Sequence, residues 1–137
     1  MTPDELQFFD GRPGALALYE RFRARLFEGT PDVDVRVHRT QITFSAGCGF
    51  AFVSFTPVRR AAERGPDWIT VSFGLPARAD SPRVDAAVQV RPSRWTHHVL
   101  IDDPAEIDDE LAALIAEAAA FARRPRRMRP VEGSDDA

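Results

Sequence analysis

Leu18, Phe22 and Leu26 recur every four residues, while Glu20, Arg21, Arg23 and Arg25 fall on other sides of the same stretch. That spacing draws one apolar stripe along a helix from Pro13-Gly14 to Gly29. Upstream, Thr2, Pro3 and Glu5 form a capping box with proline at the first helical position, predicting a short helix that ends after Phe8-Phe9, near Asp10-Gly11. From Val33 the period changes to two. Val33, Val35 and Val37 alternate with Asp34, Arg36 and His38, and a second strand carries Ile42 and Phe44.

Gly47-Cys48-Gly49 reads as a hairpin connection in which either glycine can take positive φ. The run Phe50 to Phe55 is apolar on both sides, as a central strand requires. Trp68 to Leu75 alternates again, which predicts a strand with one wetter face. Two further runs, Ala86 to Val90 and Arg94 to Ile101, flank the Pro92-Ser93 turn. Asp103 with Pro104 and Glu106 then predicts the start of a final helix, along which Ile107, Leu111, Leu114, Ile115 and Ala118 form the buried stripe.

Helices bracket consecutive strands with no strand-helix-strand alternation. The expected fold class is therefore α+β: two layers, an antiparallel sheet of about five strands, and the N-terminal and C-terminal helices packed on one face. The other sheet face is expected to be open. At 137 residues and 44% hydrophobic, the chain has the material for one core. The predicted organisation is a single domain over residues 1–122 and a disordered arginine-rich tail over 123–137.

Charge sharpens that division. All 18 basic residues are arginine, so chemistry that needs a lysine amine is excluded. Residues 123–137 hold five Arg and three acidic residues, which leaves 13 Arg and 18 acidic residues upstream. The start of the chain lacks the pattern of a secretory signal and no apolar run is long enough to span a bilayer, so a cytoplasmic location without membrane contact is expected. Cys48 is alone and forms no internal disulfide.

Alternation sends Arg36, His38, Gln41, Thr43, Trp68, Thr70 and Ser72 to the face opposite the valines and isoleucines. An arginine there can clamp an anion, His38 and Gln41 can hydrogen-bond it, and Trp68 can stack on a planar group. With Arg94 and His98, these residues make the candidate ligand site: Arg36, His38, Gln41, Trp68, Arg94 and His98. A metal reading of His97-His98 with Asp102-Asp103 fails on geometry, because adjacent strand residues point to opposite sides. One of the two histidines is expected under the helices and the other outward. Neither a metal nor another cofactor is called for.

Cys48 has no base beside it in sequence, and Gly47-x-Gly49 lacks the further glycine and lysine of a phosphate loop. Arg123, Arg124, Arg126, Arg127 and Arg129 form a candidate nucleic-acid contact, without interleaved aromatics to stack bases.

Phe8-Phe9, Leu18-Tyr19-Glu20, Arg39-Thr40-Gln41-Ile42-Thr43-Phe44, Gly49-Phe50-Ala51, Arg94 to His98 and Glu106-Ile107-Asp108 occur as ordered blocks. In these the chain resembles the domain of unknown function 5655 family over most of residues 5 to 122. It departs from the family pattern in the third block, where a serine or threonine followed by lysine usually precedes the glutamine-like position and Arg39-Thr40 stand here. The resemblance implies a bacterial helix-sheet-helix domain and supplies no catalytic residues.

The resulting expectation is a small non-enzymatic binding module, monomeric or homodimeric, that presents its open sheet face to a small anionic ligand or a protein partner. The alternative is a nucleic-acid-associated protein acting through the arginine tail. An enzyme using His97 or His98 as general base with Arg39 or Arg94 ranks behind both, for want of a nucleophile or metal motif.

Overall fold

Thr2 initiates the first element, α1 (Pro3–Phe8), in the computed structural model, which describes residues 1–124. The capping box is complete: the Glu5 amide donates to Thr2 Oγ1 at 3.2 Å and the Thr2 amide to Glu5 Oε1 at 2.9 Å. Gly11, at φ +75°, turns the chain into α2 (Pro13–Gly29). Six strands follow: β1 (Asp34–Val37), β2 (Gln41–Ala46), β3 (Cys48–Ser54), β4 (Ile69–Leu75), β5 (Ala86–Arg91) and β6 (Arg94–Ile101). The last helix is α3 (Asp109–Arg123).

The strands form one antiparallel sheet in the order β1-β2-β3-β4-β6-β5, one strand more than expected, with β1 and β5 as edges. Register explains which side chains share a face. Ile42, Val53, Val71 and Val99 lie across from one another, as do Phe44, Ala51, Phe73 and His97. Both rows point toward α2 and α3, and the Phe22 ring meets that of Phe44 edge-on at 5.9 Å. The two long helices therefore cover one face, as the α+β reading requires.

The opposite face is less open than alternation alone suggests. Every residue of β4 is buried, including Thr70 and Ser72, which were expected to be wetter. The β3–β4 connection folds back against this side: Thr70 Oγ1 donates to the Thr56 carbonyl at 2.6 Å, and Leu100, in the same cross-strand row, is fully buried. Arg59 and Asp85 complete the ladder where β5 stops. Asp85 accepts from the Leu100 amide at 2.7 Å and Arg59 donates to the Leu100 carbonyl at 3.1 Å, so these buried backbone groups keep partners.

Two local expectations are corrected. Only Gly47, at φ +84°, uses positive φ in the β2–β3 connection; Gly49 lies within β3. The capping box at Asp103 closes a single 3-10 turn, Pro104–Glu106, and does not start the helix. Ile107 breaks the turn with its side chain buried, and Asp108 caps α3 by accepting from the Leu111 amide at 3.0 Å.

The Leu111 amide and the Arg83 guanidinium, at 2.8 Å, hold the Asp108 carboxyl below its usual range. Asp108→Ala is expected to cost about 1 kcal/mol as a lost N-cap, read as a lower urea midpoint with an unchanged slope.

Arg123 belongs to α3 and Arg124 caps it, so the ordered chain runs into the segment assigned to the tail. No helix among the described residues is long and apolar enough to cross a membrane.

Candidate functional site

A six-residue helix is too short to hold itself together in water, so α1 depends on what it docks against. Its anchor is Glu5, fully buried, which accepts from the Tyr19 hydroxyl and from Arg23 Nε at 2.7 Å. Burial pushes the Glu5 carboxyl up, but the hydrogen bonds from Arg23, Tyr19 and Thr2 and the charge of Arg23 outweigh this and hold it below its usual value. Burial and the adjacent carboxylate push the Tyr19 hydroxyl well above its ordinary pKa, so it stays protonated.

Docked in this way, α1 forms one wall of a cleft of about 850 Å³ at one end of the sheet. Asp4, Gln7 and Phe8 line it from α1, Asp10 and Arg12 from the α1–α2 turn, and Val37, His38, Arg39 and Thr40 from the β1–β2 turn. That turn is closed by the His38 amide donating to the Gln41 carbonyl at 2.8 Å.

Phe55 lines the cleft as well, stacked on Phe8 at 5.6 Å and meeting Phe9 and Trp68 edge-on. Gly11 turns Arg12 back so that its guanidinium lies 3.8 Å from the centre of the Phe55 ring, a cation–π contact that fixes the charge in place. Arg12 and Arg39 join no ion pair among the described residues. The cleft thus carries two uncommitted guanidinium groups and an imidazole on an aromatic base, with Asp4 and Asp10 on its α1 side. Its volume lies within the range of small-molecule sites.

The six ligand residues proposed from sequence do not converge. His38 lines the cleft. Arg36 is exposed on β1, and Gln41 donates to Thr43 at 3.2 Å. Trp68 has Arg64 over one face at 4.6 Å and Phe55 at its edge, so it stands apart from the Arg36 row. Arg94 lies at the far end of the sheet, against Gly74 and 5.7 Å from the Phe121 ring.

His98 shares the row Arg36, Thr43, Phe52, Ser72, as alternation predicts. Its Nδ1 is 2.7 Å from Ser72 Oγ, and burial lowers its pKa. No further side chain is hydrogen-bonded to that imidazole among the described residues, and Ser72 is itself buried.

His97 lies on the helix face, flat against Phe73 at 5.2 Å. No group of three or more His, Cys, Asp or Glu side chains among the described residues is placed to hold a metal ion.

Of the tail arginines, Arg123 donates to the Asp32 carbonyl at 3.1 Å and Arg124 lies over Phe121 at 5.5 Å. Arg126, Arg127 and Arg129 lie outside the described residues.

The family described as a domain of unknown function (DUF5655) matches residues 5–122. The chain belongs to this family. No curated protein and no solved structure matches it. Two blocks by which the chain resembles DUF5655, Phe8-Phe9 and Arg39-Thr40-Gln41, meet at the cleft: Phe8, Arg39 and Thr40 line it.

In this DUF5655 domain, sequence reasoning did not include Arg12 among the candidate residues and set its candidate site on the sheet face. The Gly11-Arg12-Pro13 junction signals a turn between helices, but nothing local indicates that Phe55, more than forty residues on, comes to lie beneath Arg12.

Proposed function

We propose that this DUF5655 domain is a cytosolic, non-enzymatic binding module that takes a small anionic ligand, a carboxylate or phosphate, in the cleft between α1 and the β1–β2 turn. The observation that carries this reading is the pair of cleft arginines that join no ion pair among the described residues, one of them fixed over Phe55 at 3.8 Å. A guanidinium held in advance loses little rotational freedom when it forms a two-pronged bond to a carboxylate or phosphate. His38 adds a hydrogen-bonding group, and Asp4 and Asp10 accept hydrogen bonds from hydroxyl or amine groups on the same ligand. The expectation of an anion-binding module is kept, and its location moves from the sheet face to the end of the sheet.

Titration calorimetry and amide chemical shifts with inorganic phosphate and a panel of small phosphorylated and carboxylated metabolites test this. Arg12→Ala and Arg39→Ala are each expected to weaken the tightest ligand by about tenfold or more, the loss of one charge-assisted bond. Arg36→Ala with Trp68→Ala is expected to leave it unchanged. Loss of binding in the Arg36/Trp68 variant, with the cleft variants unaffected, would return the site to the sheet face.

A further inference from the structure

Charges of both signs line the cleft, and they do not meet. Asp4 stands on α1 and Asp10 just after it, while Arg12 and Arg39 supply the cations. None of the four joins an ion pair among the described residues. Elsewhere in the domain adjoining groups of this kind do pair: Arg23 with Glu5 at 2.7 Å, Arg59 with Asp85 at 2.8 Å and, on the surface, Arg60 with Glu63 at 2.9 Å. Asp10 and Arg12 are close in sequence, yet the Arg12 guanidinium lies over the Phe55 ring at 3.8 Å. The Asp10 amide donates to the Gln7 carbonyl at 3.0 Å, which places the residue at the C-terminal end of α1, where the helix dipole opposes a carboxylate.

We infer, on the basis of the anion-binding reading of this cleft, that its ligand is a small aliphatic zwitterion, an ammonium group joined by a chain to a carboxylate or phosphate. Arg12 and Arg39 take the anionic end, and Asp4 and Asp10 take the ammonium. With two carboxylates and two guanidinium groups the lining is formally neutral, so a purely anionic ligand meets repulsion from one side for the attraction of the other. A hydroxyl on the ligand answers an acceptor but leaves both carboxylate charges unpaired, whereas an ammonium forms the stronger charge-assisted bonds. Phe55 is meanwhile occupied by its own neighbours: Arg12 lies over it, Phe8 stacks on it, and Phe9 and Trp68 meet it edge-on. Recognition therefore rests on charge at the two ends of the ligand and not on stacking of a planar ring.

Calorimetry on the full chain with ligand pairs that differ in the amine tests this: O-phosphoethanolamine against ethyl phosphate, and γ-aminobutyrate against butyrate. The amine-bearing member of at least one pair is expected to bind about tenfold more tightly or better. Both carboxylates are exposed and Asn keeps their shape, so the double variant Asp4→Asn with Asp10→Asn is expected to keep the wild-type circular dichroism spectrum. It is expected to bind the amine-bearing member about tenfold more weakly and the amine-free member more tightly than wild type, because a repelling charge has gone. A merely structural role for the two carboxylates would move both members in the same direction. Equal wild-type affinity within each pair overturns the zwitterion and leaves the anion site standing, as does a preference for the amine that survives in the double variant. No binding of any of these compounds also overturns the zwitterion, and inorganic phosphate with Arg12→Ala and Arg39→Ala decides the anion reading separately.

Discussion

Glu5→Ala is expected to lower the stability of the domain by about 3 kcal/mol, the cost of breaking a buried pair by removing one partner. The carboxylate is fully buried and accepts from Tyr19, from Arg23 at 2.7 Å and from the Thr2 amide at 2.9 Å. Its removal leaves a buried hydroxyl and a three-quarters-buried guanidinium without their acceptor. Urea denaturation followed by tryptophan fluorescence measures the change.

Glu5→Gln keeps the shape and part of the hydrogen bonding and is expected to cost less, about 1–2 kcal/mol. Because α1 carries one wall of the cleft, Glu5→Ala is also expected to weaken the anion affinity of protein that remains folded. A variant as stable as wild type would show that α1 does not depend on this anchor. Since the folded carboxyl titrates below its ordinary value of 4.5, its contribution is present above that pH and is lost as pH falls through the folded value.

His97→Ala is expected to cost about 3 kcal/mol, as for other large side chains emptied from a core. The ring is fully buried against Phe73, and its Nε2 accepts from the Ala79 amide at 2.8 Å, tying the β4–β5 connection to β6. With Nε2 an acceptor, the proton of the neutral ring sits on Nδ1, which has no hydrogen-bond partner among the described residues.

Burial lowers the His97 pKa from 6.5, and the charges of His98 and Arg78 add to this against weaker opposing backbone contacts. The native state therefore binds fewer protons than the unfolded state just below pH 6.5. Stability is full above that pH and falls as pH drops toward the folded value, by up to about 1.4 kcal/mol per pH unit for this group. His97→Phe keeps the volume and removes the titration. Its urea midpoints between pH 7.5 and 5.5 are expected to change less than those of wild type, the residual slope including His98, whose pKa burial also lowers. Equal slopes would assign the effect elsewhere.

Much of this architecture is local and so was legible in the chain. The four-residue apolar spacing from Leu18 to Leu26 specifies α2, and the capping box of Thr2 and Glu5 specifies the start of α1. Alternation placed Arg36, Thr43 and Ser72 on one face and the two adjacent histidines on opposite faces, because side chains of a strand point alternately to its two sides; the register sets His98 in a row with the first three and His97 on the helix side. The same local signal misled at Asp103, where a complete capping box closes only one turn. Asp108, fixed by Arg83, holds the true start of α3.

Tertiary structure decided the rest. Thr70 and Ser72 read as polar and therefore wet, yet the β3–β4 connection meets Thr70 and Ser72 is buried with its hydroxyl 2.7 Å from His98 Nδ1, packing that strand periodicity does not encode. Glu5 reads only as a cap, and its burial against Tyr19 and Arg23 depends on how α1 crosses α2. The cleft is assembled from three separate segments, α1 with the turn that follows it, the β1–β2 turn and the residues just after β3, and no single segment carries its chemistry. Sequence determined the elements and the faces of the strands, because those follow from backbone geometry and side-chain spacing. Which faces are covered, and which arginines pair with acidic residues, was decided by contacts between residues far apart in the chain.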